Sequence, residues 1–174
     1  GLTYWNELSP VKPPEYVYQE LKLLARQYYQ TVSMLVKAKV NLSNLLDQTM
    51  PGIKELMNDS PGNHKLTDFV KRYYHYGHIL EMGEKRFHYD YCKWAKKQGY
   101  RVYERLAKEI LAIAQNGIPV LPNSPVTKAV VVEAVRVLHE IEISKTIDMV
   151  VEPEVITDGF EVVKEGFVTG PVNL

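Results

Sequence analysis

The sequence has one cysteine, no net charge and no long apolar run, and each shortage excludes a class of protein. Cys92 alone forms neither an intramolecular disulfide nor a cysteine-based zinc site, which favours a reducing, cytoplasmic setting. No apolar run of about 18 residues and no basic segment before an apolar stretch occurs, so we expect neither a membrane span nor a signal peptide. A formal net charge of +0 argues against a uniformly basic nucleic-acid binder but allows local patches.

Motifs of catalysis are also missing. No Gly-rich phosphate loop, no G-x-S-x-G and no paired-carboxylate motif stands out. His75, His78 and His88 lack the i, i+4 spacing of a helical metal pair and have no cysteine beside them, so we expect surface or capping roles and no metal site. Cys92 lies inside a predicted helix, where a packed thiol is the usual outcome. The residues therefore predict no active site and no cofactor in this chain.

What is present is typical of a folded helical protein. Hydrophobic residues make up 45% and charged residues 24% of a chain of 174 residues, enough for one domain, or for one domain plus an extended arm. Apolar periodicity predicts an all-α fold whose C-terminal tail is irregular or a weak hairpin. The predicted segments are a lead-in at 1–14, a long coiled-coil helix at 15–50, a basic and aromatic helical module at 63–117, a return helix at 125–150 and an acidic tail at 151–174.

The long helix carries a seven-residue repeat. Residues 15–49 contain no Pro or Gly, and at 1.5 Å per residue they span about 50 Å. The repeat favours pairing with a second copy of the chain, although Tyr28 and Thr31 are imperfect seam residues. The alternative is that the chain's own helices cover the same stripe. The predicted dimer seam is Leu21, Leu24, Leu35, Leu42 and Leu45.

The later helices show ordinary amphipathic patterns. Helices are predicted at 65–76, 84–98 and 101–116, and a fourth from residue 126. Thr67 or a residue nearer Asn63 starts the first of them. The predicted core stripes are Leu66, Phe69, Val70 and Tyr73; Phe87, Tyr91, Trp94 and Ala95; Val102, Leu106, Ile110, Ile113 and Ala114; and Val130, Ala134, Val137 and Ile141, with Val131, Val135 and Leu138 beside the last.

The helical module holds the chain's only concentrated charge. Between Lys65 and Lys108 there are eleven Lys and Arg residues, five Asp and Glu residues, and many aromatic rings. Cations neutralise phosphates and exposed rings stack on unpaired bases, so this mixture suits single-stranded or structured RNA and DNA. The alternative is an aromatic core with a solvated basic face, which we expect for Phe87, Tyr91 and Trp94. The predicted nucleic-acid contacts are Lys85, Arg86, Lys93, Lys96, Lys97, Arg101, Arg105 and Lys108.

Several short motifs are spread over residues 1–149. They are Gly1-Leu2-x-Tyr4-Trp5-x-x-Leu8; Leu42-x-x-Leu45-Leu46-Asp47-x-Thr49-Met50-Pro51-Gly52-Ile53; Thr67-Asp68-Phe69-Val70; Glu84-Lys85-Arg86-Phe87; Trp94-Ala95-Lys96-Lys97-x-Gly99-Tyr100; Gly117-Ile118-Pro119; and Thr127-Lys128 followed by Glu133-Ala134-Val135-Arg136-Val137-Leu138. In their order and spacing these motifs resemble transposases of the bacterial insertion-sequence family conventionally numbered 110.

The resemblance implies the non-catalytic middle of a three-part recombinase. In that family a RuvC-like nuclease domain with four acids that bind a divalent metal, taken to be Mg²⁺, precedes a coiled-coil region, and a domain with a nucleophilic serine follows it. The full proteins act as oligomers on DNA with a structured guide RNA. Residues 151–174 do not match the serine domain, so no catalytic residue is transferred to this chain. We therefore expect a dimerising, nucleic-acid-contacting region of a transposase, or alternatively a purely structural helical interaction domain.

Overall fold

The computed structural model describes residues 14–57 and 63–157. It forms helices throughout this part of the chain and contains no strand there, which confirms the predicted all-α class. The helices are α1 (Glu15–Thr49), α2 (Ile53–Leu56), α3 (Lys65–Tyr73), α4 (Tyr76–Met82), α5 (Glu84–Lys97), α6 (Glu104–Asn116) and α7 (Pro125–Thr157). By their contacts the residues divide into two units, Leu35–Glu140 and a second made of Gly1–Met34 with Ile141–Leu174.

Backbone conformations set the ends of the helices. Helix α1 ends at Thr49, next to the predicted bound at residue 50, and Gly52 after it lies in the left-handed region at φ 85°. The predicted helix over 65–76 is wrong at its end: α3 stops at Tyr73, because Tyr74 turns left-handed at φ 31° and its N–H bonds to the carbonyl of Val70. A new helix, α4, then begins after His75. The extended backbone of His75 lets its Nδ1 accept the N–H of Gly77 at 2.8 Å, which confirms a capping role for this histidine.

Five aromatic side chains join α3 to α5. Phe69 and Tyr73 from α3 meet Phe87, Tyr91 and Trp94 from α5, with ring centroids 4.7 to 6.3 Å apart in mostly edge-to-face and tilted arrangements. All five are buried. The expectation that Phe87, Tyr91 and Trp94 form a core is therefore confirmed. Such pairs stabilise by about 0.5–1.5 kcal/mol each beyond the area that they bury.

The remaining core of the Leu35–Glu140 unit forms around α6. This helix packs against α2, α4 and α5, and α4 also packs against α3 and α5. Predicted and observed stripes differ by one position on α6, where Ala107 and Leu111 are buried and Leu106 and Ile113 are only half-buried. On α7 the residues predicted beside the stripe, Val131, Val135 and Leu138, are buried, whereas Val130 of the predicted stripe is 46% exposed. The buried residues of these two helices are Ala107, Ile110, Leu111, Ala114, Thr127, Val131, Ala134, Val135 and Leu138.

The C-terminal boundary also differs from the prediction. Helix α7 continues to Thr157, so the first seven residues of the predicted tail at 151–174 are helical and not hairpin. A run of residues without Pro or Gly from Val126 to Glu152 gives the backbone no reason to end the helix earlier. The rest of that tail, at 158–174, and nearly all of the lead-in, at 1–13, lie outside the described residues.

The heptad face of α1 is partly covered by the chain itself. Leu35 and Leu42 are 8% and 5% exposed, so a second copy cannot reach these two side chains in the folded chain. Leu21, Leu24 and Leu45 are half-buried. The alternative in which the chain's own helices cover the stripe therefore applies at Leu35 and Leu42.

Tyr76→Phe tests one of the contacts that hold the core together. The ring of Tyr76 is fully buried, and its hydroxyl donates a 2.6 Å hydrogen bond to the carbonyl of Pro51. Removing the hydroxyl leaves that carbonyl without its partner, so we expect the free energy of unfolding in urea to fall by about 1 kcal/mol. Tyr89→Phe, at a position 67% exposed, is the matched control and should change stability little. Equal stability of Tyr76→Phe and the unchanged chain would contradict the role given to this bond.

Candidate nucleic-acid interface

One face of α5 carries five of the eight predicted nucleic-acid contacts. Lys85, Arg86, Lys93, Lys96 and Lys97 are all exposed. At about 100° per residue they lie within an arc of about 120° around the helix axis, and at 1.5 Å per residue they extend along about 18 Å of it. No acidic residue falls within that arc. We call these five residues, together with Tyr89, the cationic face.

Tyr89 gives the cationic face an aromatic surface. Its ring is 67% exposed, and the Nζ of Lys93 lies 5.9 Å from the ring centroid. An exposed phenol ring next to a lysine offers a stacking surface and a cation together, which is the combination that binds unpaired bases on a phosphate backbone. The buried aromatic residues of the module are closed to a base, whereas Tyr89 is open to one.

The other three predicted contacts lie elsewhere. Arg101 precedes α6, and its guanidinium carbon lies 5.1 Å from the ring centroid of Tyr103, which is 47% exposed. Arg105, on α6, donates to Glu109 at 2.7 Å, so part of its charge is already neutralised. Lys108 is exposed on α6. The structure therefore gathers five of the eight predicted residues on one helix and leaves Arg105 the least available of the set.

A network of polar side chains ties α3 to α5 beside the aromatic core. The guanidinium of Arg72 donates to both carboxylate oxygens of Asp90, at 2.8 to 3.1 Å, and the hydroxyl of Tyr73 donates to Asp90 Oδ2 at 2.6 Å. Partial burial favours a higher pKa for Asp90, but the hydrogen bonds from Arg72 and Tyr73 and the charges of Arg72 and Arg86 outweigh it and hold that pKa below its usual value. Asp90 is therefore ionised at neutral pH.

An open cleft of about 450 Å³ lies at this network. Its walls come from α3, α4 and α5, and Arg86 belongs both to the cleft and to the cationic face. The imidazole of His78 stacks on the ring of Tyr74 with centroids 4.9 Å apart. Burial lowers the pKa of His78, and the charge of Lys128 adds to this while Glu81 opposes it. The lining residues are Arg72, Tyr73, His78, Glu81, Met82, Arg86 and Asp90.

Sequence patterns did not single out most of this cleft. Arg72 and Asp90 are 18 positions apart on different helices, and no motif links them. Glu81 and His78 lie on α4, a helix that the sequence did not predict. The left-handed turn at Tyr74, which no sequence pattern indicated, ends α3 and lets α4 begin after His75.

Comparisons of the chain with protein-family models, curated proteins and solved structures gave no match. Within the described part of the chain, no helix is both long enough and apolar enough to cross a membrane.

The ionised Asp90 makes stability depend on pH in acid. The pKa of Asp90 is lower in the folded chain than in the unfolded chain, so below about pH 4 the folded chain binds fewer protons. The stability that the Asp90 carboxylate contributes is therefore lost as the pH falls through the pKa of Asp90 in the folded chain. We expect the Asp90→Asn variant to lose less stability than the unchanged chain as the pH falls below about 5, measured by thermal unfolding. Glu84→Gln, at an exposed position on the same helix, is the control and should follow the unchanged chain. An acid limb that Asp90→Asn leaves unaltered would contradict this assignment.

Proposed function

We propose that this chain is a non-catalytic, nucleic-acid-contacting region of a bacterial cytoplasmic transposase, in which the cationic face of α5 binds the phosphates of single-stranded or structured nucleic acid. The motif resemblance suggests DNA transposition as the process, with DNA and a guide RNA as partners of the whole protein. The alternative is a structural helical interaction domain that binds no nucleic acid.

The observation that carries the proposal is the acid-free arc of α5. The aromatic core holds the opposite side of this helix, so the cations point outward on a rigid element. The side chains of Lys96 and Lys97 are exposed and make no hydrogen bond or ion pair within the described residues, and so remain available for phosphate oxygens. Neutralising phosphates releases their counterions, which supports binding even in a chain with no net charge.

Replacing Lys93, Lys96 and Lys97 with Gln tests the proposal. We expect roughly tenfold or greater loss of affinity for a short single-stranded RNA or DNA, and a shallower salt dependence, because up to three phosphate contacts disappear. Fluorescence anisotropy at several salt concentrations measures both quantities.

The matched control replaces Lys22, Lys37 and Lys39, three exposed lysines of α1, with Gln. It removes the same charge and should leave both quantities nearly unchanged. If the unchanged chain binds no nucleic acid, or if both triple variants weaken binding equally, the cationic face is not the binding surface and the structural alternative is favoured.

A second function, self-association through α1, is supported by a stripe outside the predicted seam. In the part of α1 that precedes Leu35, the side chains of Tyr16, Leu23 and Met34 are 62%, 65% and 49% exposed. Their spacings of seven and eleven residues place them within about 20° of one another around the helix. A row of exposed apolar residues along one side of a long helix suits a second copy of the same helix. We propose a homodimer that uses this stripe.

Leu23→Lys tests the homodimer. A lysine at this position places an unpaired charge in the paired face, and it does so in both copies, so we expect at least tenfold weaker dimerisation in sedimentation velocity. Ser33→Lys introduces the same residue at an exposed polar position about 80° away and is the control. A chain that sediments as a monomer before any substitution would rule out self-association, and a dimer that Leu23→Lys leaves intact would rule out this stripe.

A further inference from the structure

The cleft lined by Arg72, His78, Glu81, Arg86 and Asp90 offers donors, acceptors and a flat surface in one place. Its volume of about 450 Å³ lies in the range of small-molecule sites. Both signs of charge are present, so it is not a simple phosphate site. It opens beside Arg86, which also belongs to the cationic face, where a bound strand would pass.

Arg72 provides the flat surface. Its two-pronged bond to Asp90 fixes the orientation of the guanidinium plane, while 45% of its side chain stays exposed. A guanidinium held in one plane is a surface on which an unpaired base stacks. Asp90 itself is occupied by Arg72 and Tyr73, so the recognition of a base edge falls to other groups.

Glu81 and Arg86 provide that recognition. Glu81 Oε1 accepts a 3.1 Å hydrogen bond from Asn123 Nδ2, which orients the carboxylate. Oε2 and the second lone pair of Oε1 remain for two further donors. The guanidinium of Arg86 makes no hydrogen bond within the described residues, and the residue is exposed. One wall of the cleft therefore accepts hydrogen bonds and another donates them.

Guanine is the base that fits both walls. It carries two adjacent donors, N1–H and the N2 amino group, which match a carboxylate, and two adjacent acceptors, O6 and N7, which match a guanidinium. Uracil has no amino group and only one ring N–H on its pairing edge. We propose that the cleft binds an unpaired guanine base, stacked on Arg72 and recognised by Glu81 and Arg86, in a strand that lies along the cationic face. This inference rests on the proposed nucleic-acid binding and assigns a base preference to it.

Two RNA oligomers of about ten nucleotides test the preference, one all uridine and one with a single central guanosine. We expect about tenfold tighter binding of the guanosine oligomer by fluorescence anisotropy, since a good two-bond pair discriminates by about 1–3 kcal/mol. Replacing the guanosine with inosine removes the N2 amino group and should reduce the preference.

Glu81→Gln should abolish the preference and leave the affinity for the uridine oligomer unchanged. Glu84→Gln, an exposed glutamate outside the cleft lining, removes the same charge and should retain it. The triple lysine replacement should weaken both oligomers by the same factor. This pattern separates base recognition in the cleft from phosphate binding on the cationic face.

The outcomes distinguish the two proposals. Equal affinity for both oligomers, unaffected by Glu81→Gln, overturns the guanine site and leaves the cationic face standing. If neither oligomer binds, the proposed function fails, and guanosine monophosphate alone then decides the cleft by saturation-transfer NMR. A signal from that nucleotide that Glu81→Gln removes supports the site, and its absence from the unchanged chain overturns it.

Discussion

The packing of aromatic rings between α3 and α5 is the contact on which the other features of the Leu35–Glu140 unit depend. Phe69 and Tyr73 hold one side of α5 through Phe87, Tyr91 and Trp94, and burial of these large rings is the main source of stability available to two short helices. Fixing that side determines which residues of α5 face outward. The row of lysines is thereby held on a rigid helix instead of a loop.

The same packing places the polar network at the edge of the core. Burial raises the pKa of the Tyr73 phenol well above its usual value, with the hydrogen bond to Asp90 acting in the same direction, so the hydroxyl remains a donor. Asp90 in turn orients Arg72. The Tyr73 hydroxyl thus links the buried ring of Tyr73 to the orientation of Asp90 and Arg72. The packed core therefore holds these charged groups of the cleft in place.

Part of the apolar stripe of α1 is buried within the chain, so that part is not available for self-association. A heptad repeat records which side of a helix is apolar, and it does so equally for a core and for a dimer. In the Leu35–Glu140 unit the chain itself buries Leu35 and Leu42, so this part of the repeat contributes to the core of a single chain. The exposed residues Tyr16, Leu23 and Met34 are a separate stripe, and the proposed dimer rests on them because only exposed side chains are available to a second copy.

The sequence alone determined the fold class, the long first helix and the exposure of the charged residues. Apolar periodicity and the Pro51-Gly52 stop gave the all-α class and α1, because local spacing and helix breakers act over a few residues. Exposure of the eight cations was also predictable, since charge resists burial. The tertiary structure decided the rest: the break at Tyr74, the burial on α7, and the meeting of Arg72 with Asp90. The burial on α7 and the bond between Arg72 and Asp90 depend on contacts between residues far apart in the chain, which no local pattern records.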